Sequence, residues 1–301
     1  MNTTKFVNLI FLFFCIIPGL YAEKLSKSHP YIVVIGIDGL GAHGIKMSKT
    51  PVLNGLMANG SWSLEARTVM PSVSGPAWSS ILTGATVERH AIGNNGWIVD
   101  QKVLEPVFKG DHNMFPTIFG EIRKHLPQAV TGAIYHWGDF GNFIEKGVCD
   151  ISKPGSDEDV TTKLTCDFLA DKAPLFTFIQ LDNVDHGGHH GGYRSDEYLK
   201  SVEKADSLVG VIVNQLKKAG LYEKTVIFIV ADHGGIGTGH GGSTPDEMIV
   251  PLIICGKGIK KGYEIKHPVF IYDLAPTVAS LLGFRLNGWV SGKPILDSLT
   301  K

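Results

Sequence analysis

Three short clusters of acid, imidazole and hydroxyl groups carry the chemistry open to this sequence. Asp185-His186-Gly187-Gly188-His189 sets a carboxylate and an imidazole four residues apart, with glycines between them. Asp232-His233-Gly234-Gly235 is a second carboxylate–imidazole pair, and Gly239-His240-Gly241-Gly242 adds a further imidazole. Oxygen and nitrogen donors of this kind suit zinc, and also manganese or iron. The glycines let the backbone turn tightly while side chains converge. The hydroxyl lies in the stretch Met70 to Trp97. There Pro71 to Gly75 is turn chemistry, and Pro76 can open a helix over Ala77 to Leu82 that Gly84 ends. A serine just before such a helix, Ser74, sits among free backbone N–H groups at the positive end of the dipole. It suits either a nucleophile attacking an anion or a plain N-cap.

The elements that must position these groups follow from hydrophobic pattern. Tyr31 to Ile37, Leu175 to Leu181 and Thr225 to Ala231 are unbroken apolar runs of the kind found in buried parallel strands. The first ends in Asp38-Gly39, the second just before Asp182 and Asp185, and the third in Asp232-His233. Further strands are expected over Trp62 to Val69, Ala129 to Tyr135 and Val250 to Cys255. Helices are expected over Thr50 to Ala58, Pro116 to His125, Asp159 to Ala170, Asp196 to Ala219 and Tyr272 to Leu282. Alternating strands and helices predict an α/β fold, with a mostly parallel sheet and helices on both faces. In such sheets the ligand site lies outside the carboxyl ends of the strands. The fold should therefore bring Asp38, Asp185 and Asp232 together despite their separation along the chain.

The 301 residues suffice for one large domain, and a net charge of −1 leaves no electrostatic footprint for nucleic acid. Lys5, the apolar run Phe6 to Leu20 and the small residue Ala22 before Glu23 form the pattern of a cleaved secretory signal over residues 1–22. No later stretch is long and apolar enough for a membrane span. Residues 23–301 are then expected as a single catalytic domain, secreted or periplasmic. In an oxidising compartment Cys149 and Cys166 could pair or remain thiols, because spacing alone does not set disulfide geometry.

Taken together, Asp38 after a buried strand, Ser74 at a helix start, Asp185 with His189, Asp232-His233 and His240 resemble the alkaline phosphatase superfamily. Within it the chain is most similar to the type I phosphodiesterase and nucleotide pyrophosphatase family. That family carries Pro-Thr-x-Thr-Phe-Pro-Asn before its helix, then Thr-Gly, and a His-Gly-Ile segment ending in Asn. The matching run here is Pro71-Ser72-Val73-Ser74-Gly75-Pro76-Ala77, then Thr83-Gly84, His90-Ala91-Ile92 and Asn95. The resemblance implies an alkaline-phosphatase-like three-layer sandwich. It also implies two divalent ions, zinc foremost, one held by Asp185, His189 and His240 and the other by Asp38, Asp232, His233 and the Ser74 oxygen. Asn95 and the Gly75 N–H would contact non-bridging phosphate oxygens, and Ser74 would form a phosphoseryl intermediate from a small-molecule phosphodiester or nucleotide.

Departures from the pattern bear on the choice of substrate. Ser74 stands for the family's usual Thr, and Ala77 for its Asn. Trp78 stands where a sulfatase carries arginine, which argues against a sulfatase. A monoester dianion gains from a cationic clamp such as a bidentate arginine; Arg67 and Arg89 are near in sequence, with an ordinary surface role expected for each. Phosphomonoesterase or phosphonate hydrolase activity on the same site remains an alternative, as does an inactive binding protein. The aromatic group Tyr135, Trp137, Phe140 and Phe143 suits stacking on a base or plain packing.

Overall fold

Seven consecutive buried residues make strand β1 (Tyr31–Ile37), the element on which the sheet is centred. In this computed structural model residues 29–300 are described; the expected signal segment, residues 1–22, lies outside them. The other strands are β2 (Gly60–Arg67), β3 (Thr131–Tyr135), β4 (Ile151–Pro154), β5 (Phe176–Leu181), β6 (Thr225–Val230), β7 (Ile249–Gly256) and β8 (Tyr263–Glu264). They form one sheet in the order β4-β3-β5-β1-β6-β7-β2-β8. β1 pairs in parallel with β5 on one side and β6 on the other. Strand β7 runs antiparallel to both of its neighbours, β6 and β2. The sheet is thus mostly parallel, with β1, β5 and β6 buried along their whole length between layers of helices. Strands β4 and β8 were not legible in the sequence: one is a short exposed edge strand ending in Pro154, the other two residues long.

The helices are α1 (Ala42–Met47), α2 (Pro51–Ala58), α3 (Ser74–Thr83), α4 (Val87–His90), α5 (Ile118–His125), α6 (Glu158–Lys172), α7 (Asn183–Gly191), α8 (Asp196–Lys218), α9 (Pro245–Met248) and α10 (Leu274–Leu281). Among the described residues none is long and apolar enough to cross a membrane. Helix α3 lies against β1 through Trp78, whose ring meets Phe140 and Phe178 edge-on. Residue 36 must be glycine for that approach: a Cβ there would fall 2.5 Å from the Trp78 ring. The helix begins at Ser74 itself, with Val73 as N-cap, and closes at Gly84 in the left-handed conformation at φ 71°. Ser74 is therefore the first helical residue, not the residue before the helix, and its side chain does not cap it.

Cys149 and Cys166 are free thiols. Glu145, Asp150 and Arg123 act on Cys149, whereas Lys163, Asp167 and Lys218 act on Cys166, so the two sulfurs have no charged neighbour in common.

His90 ties the end of α4 to α3. Its Nδ1 accepts the Ile92 N–H at 3.0 Å, so the proton sits on Nε2 and is donated to Ser80 Oγ at 2.9 Å. Burial holds this ring neutral and lowers its pKa from 6.5 to about 3. The unfolded chain takes up a proton below pH 6.5 that the folded chain refuses. Stability is therefore present above that pH and is lost as pH falls toward about 3, by roughly 1.4 kcal/mol per unit. Urea midpoints of wild type should fall across this window, and His90→Gln should flatten the slope; an equal slope in the variant would refute the assignment.

Candidate active site

Three parallel strands in the order β5, β1 and β6 end on the same side of the sheet, each about 5 Å from its neighbour. Each delivers an acid there. The Asp38 N–H extends the ladder by donating to Leu181 O at 2.8 Å. Gly39 then turns away at φ 69°, so close to the next segment that a Cβ would lie 2.7 Å from Asp185 Cα. Asp38, Asp185 and Asp232 are all buried, as is His233.

The glycine-rich run after β5 is a helix, α7, and not the loop its glycines suggest. Asp185 and His189 are one helical turn apart on one face, with His189 Nε2 3.2 Å from Asp185 Oδ2. Its glycines permit close packing: a Cβ on Gly187 would lie 2.6 Å from Ser201 Oγ, and one on Gly188 would lie 2.6 Å from the Tyr193 ring.

Three imidazoles face these acids with the same tautomer. His189 Nδ1 contacts Thr238 O at 2.8 Å, His233 Nδ1 contacts Gly234 O at 2.9 Å, and His240 Nδ1 contacts Ser72 O at 2.9 Å. A carbonyl only accepts, so each Nδ1 carries the proton and each Nε2 of the neutral ring presents a bare lone pair. These lone pairs converge. His240 Nε2 lies 3.1 Å from His189 Nε2 and 3.7 Å from Asp185 Oδ1. His233 Nε2 lies 3.2 Å from Asp232 Oδ2 and 3.5 Å from Asp38 Oδ1. Those two carboxylate oxygens are buried and have no hydrogen-bond donor.

Such an array fits divalent cations, since lone pairs and unpaired carboxylate oxygens held this close repel without a positive charge between them. Among the described residues, two groups have ligand atoms near enough to share an ion: Asp185, His189 and His240, and Asp38, Asp185 and His233. Asp185 belongs to both, so it stands between two ligand groups, whereas the resemblance gave it to one. Burial, followed by the charge of Asp232, pushes the Asp38 carboxyl well above the usual carboxylate range. Burial and then Asp185 do the same at Asp232, while burial and then His240 push His233 well down.

Ser74 opens α3 directly over this array and donates its hydroxyl to His233 Nε2 at 3.2 Å. The Gly75 N–H donates to Asn95 Oδ1 at 2.7 Å, which places the two expected phosphate-contacting groups side by side. A side chain at residue 75 would meet Asn94 O at 2.6 Å, so Gly75 is required for this contact.

Sequence reasoning missed three supporting residues. Trp78 Nε1 donates to Asp38 Oδ2 at 2.9 Å, and Gln180 Nε2 donates to the same oxygen at 3.1 Å and to Asp182 Oδ1 at 2.9 Å. The phenol of Tyr193 donates to Asp185 Oδ1. A glutamine inside the apolar run Phe176–Leu181 was the one legible signal among them. Of the aromatic group, Tyr135, Phe140 and Phe143 are core residues, and Trp137 is half-buried after β3.

A family model for type I phosphodiesterase / nucleotide pyrophosphatase matches residues 32–241. The chain belongs to the type I phosphodiesterase / nucleotide pyrophosphatase family. The chain is 25% identical to bis(5'-adenosyl)-triphosphatase ENPP4 of Pongo abelii over 91% of this chain and 59% of that protein. It is 30% identical to arylsulfatase K of Danio rerio over 35% of this chain and 21% of that protein. The chain thus spans less than two thirds of the length of either relative. Its fold is that of murine ectonucleotide pyrophosphatase/phosphodiesterase 5, solved as an inactive variant in complex with AMP, with a TM-score of 0.75 at 14% identity over 90% of this chain and 100% of that one. A phosphonate monoester hydrolase from Silicibacter pomeroyi matches with a TM-score of 0.68 at 18% identity over 90% of this chain and 77% of that one.

Asp38→Asn would replace an unpartnered oxygen with an amide N–H facing His233 Nε2, which accepts from the Ser74 hydroxyl at 3.2 Å. In metal-free protein it is expected to raise the melting temperature by about 2–4 °C, equivalent to about 1 kcal/mol. It should also remove most of the rise that added zinc gives wild type. Lower metal-free stability, or an undiminished gain from zinc, would contradict the ligand assignment.

Proposed function

We propose that this chain is an exported metal-dependent hydrolase that cleaves phosphodiester or nucleotide pyrophosphate bonds through a phosphoseryl intermediate on Ser74. The observation that carries the reading is the Ser74 hydroxyl, which caps nothing and points at His233 Nε2 beside two converging ligand groups. Residues 1–22 would direct export, and residues 23–301 would act as one catalytic domain.

Asp185, His189 and His240 would hold one divalent ion, and Asp38, Asp232, His233 and the Ser74 oxygen the other. When bound, such ions, zinc by this donor set, lower the hydroxyl pKa and offset charge on the leaving oxygen. Ser74 Oγ attacks phosphorus in line with the leaving oxygen, which departs with the electron pair of the broken bond. The Asn95 amide, oriented by Gly75, donates to a non-bridging oxygen as its charge grows. Water then attacks phosphorus from the face the leaving group vacated, breaks the bond to Ser74 Oγ and restores the hydroxyl. Two inversions leave net retention.

A nucleotide or other small diester is the substrate class favoured. Relatives named for a bis(5'-adenosyl)-triphosphatase activity and for an AMP complex support it. Of Tyr135, Trp137, Phe140 and Phe143, Trp137 alone is half-buried rather than buried, and its remaining exposed ring surface is the one assigned to stack on a base. Four of the five arginines are engaged elsewhere: Arg67 donates to Glu65 O, Arg89 to Trp289 O, Arg123 pairs with Asp150, and Arg194 with Asp246. A diester monoanion requires less positive charge than a monoester dianion.

Hydrolysis of bis-p-nitrophenyl phosphate and p-nitrophenyl phosphate, after chelation and with zinc restored, tests the reading. The diester should be preferred, turnover should require zinc, and Ser74→Ala should lower kcat at least about 1,000-fold. Monoester preference would move the chain to the phosphomonoesterase or phosphonate hydrolase alternative. Unchanged turnover in Ser74→Ala would remove the nucleophile, and zinc binding without turnover would favour a binding protein.

A further inference from the structure

Tyr193 is tied both to α7, which carries Asp185 and His189, and to the segment after β6, which carries His233 and His240. Its phenol donates to Asp185 Oδ1 on α7. Its ring packs on Gly188 of the same helix and on Gly235 beyond His233, where a Cβ would lie 2.6 Å and 2.3 Å away. Its backbone N–H donates to Gly237 O at 2.7 Å, one residue before the carbonyl of Thr238 that fixes His189. The backbone is left-handed on both sides of it, at Gly192 (φ 96°) and at Arg194 (φ 81°). Arg194 is a non-glycine residue in a costly conformation, and its guanidinium is anchored 2.6 Å from Asp246. The chain thus spends strain to turn one tyrosine inward. Packing alone would be satisfied by phenylalanine; a buried phenol needs an acceptor, and the acceptor here is a ligand carboxylate.

We propose that Tyr193 is a positioning residue for metal binding: it fixes the Asp185 carboxylate and sets the spacing of α7 against the His233–His240 segment, so that Asp185, His189 and His240 meet at one point. The inference rests on the metal-site reading above. Tyr193 itself touches neither substrate nor the reacting atoms. Because its hydroxyl is neutral, it holds one oxygen of Asp185 without removing the charge that an ion requires.

Tyr193→Phe keeps the ring and deletes the hydroxyl. Zinc content and affinity of the purified variant, measured by competition with a chromogenic chelator, should show one of two ions held about 10- to 100-fold more weakly than in wild type. The metal-free variant should melt within about 2 °C of metal-free wild type, since the packing is retained. Turnover lost at limiting zinc should return when zinc is raised, which a general packing defect would not allow. Wild-type retention of both ions by Tyr193→Phe would overturn the inference while leaving the metal site intact. A metal-free variant that unfolds, or one that excess zinc does not rescue, would also overturn it in favour of a purely structural role. A wild type that takes up no zinc would instead overturn the metal site, and this inference with it.

Discussion

The constraint that the rest of the structure must meet is the burial of three carboxylates, Asp38, Asp185 and Asp232, against the Nε2 atoms of His189, His233 and His240. Taking an isolated carboxylate out of water costs several kcal/mol even after relaxation. The cluster can persist only where a rigid scaffold imposes it. That scaffold is the run β5-β1-β6, whose parallel ladders fix three strand ends side by side and whose apolar side chains fill the core on both faces. The hydrophobic burial of the central strands is thus what stabilises an electrostatically unfavourable edge.

Bringing the ligand segments together required the removal of side chains between them. Gly39 lies against Asp185, Gly188 and Gly235 lie against Tyr193, and Gly234 approaches so near that a Cβ would fall 2.1 Å from Asp246 O. These glycines serve close approach more than flexibility. The same composition that suggests a mobile loop builds, in α7, a helix whose stability comes from packing on α8 and on Tyr193. Intrinsic propensity alone would not have formed it.

This explains what was legible in the sequence and what was not. The strand ends were legible because an unbroken apolar run followed by an aspartate is a pattern local to a few residues. Asp38 and Asp232 were found that way, as was the acidic run leading to Asp185. Helix α7 was not, because its nine residues include three histidines and three glycines and its support is tertiary. The direction of β7 was hidden for a related reason: Ile249–Gly256 has the same apolar composition as its parallel neighbours, and only the connection through α9 reverses it. The contact between Gly75 and Asn95 joins the start of α3 to the segment after α4, a tertiary pairing that no periodicity describes. The pairing of Cys149 with Cys166 depended on a distance that spacing does not determine.

The choice of supporting donors around the acids has its own logic. Asp38 Oδ2 accepts from Trp78 Nε1 and Gln180 Nε2, Asp232 Oδ1 accepts from the Gly39 N–H, and Asp185 Oδ1 accepts from the Tyr193 phenol. All four donors are neutral. A lysine or arginine in any of these places would satisfy a carboxylate more strongly, but it would also cancel the charge and compete with a cation for it. Neutral donors constrain one oxygen of each acid and leave the charge in place. The second oxygens of Asp38 and Asp232 remain without a donor and face His233. Tryptophan at position 78 is therefore more than the absence of a sulfatase arginine: its N–H orients Asp38 without neutralising it. The centre is held in shape by hydrogen bonds that do not discharge it, and the attraction for a metal ion is the part of the electrostatic balance that the protein leaves unmet.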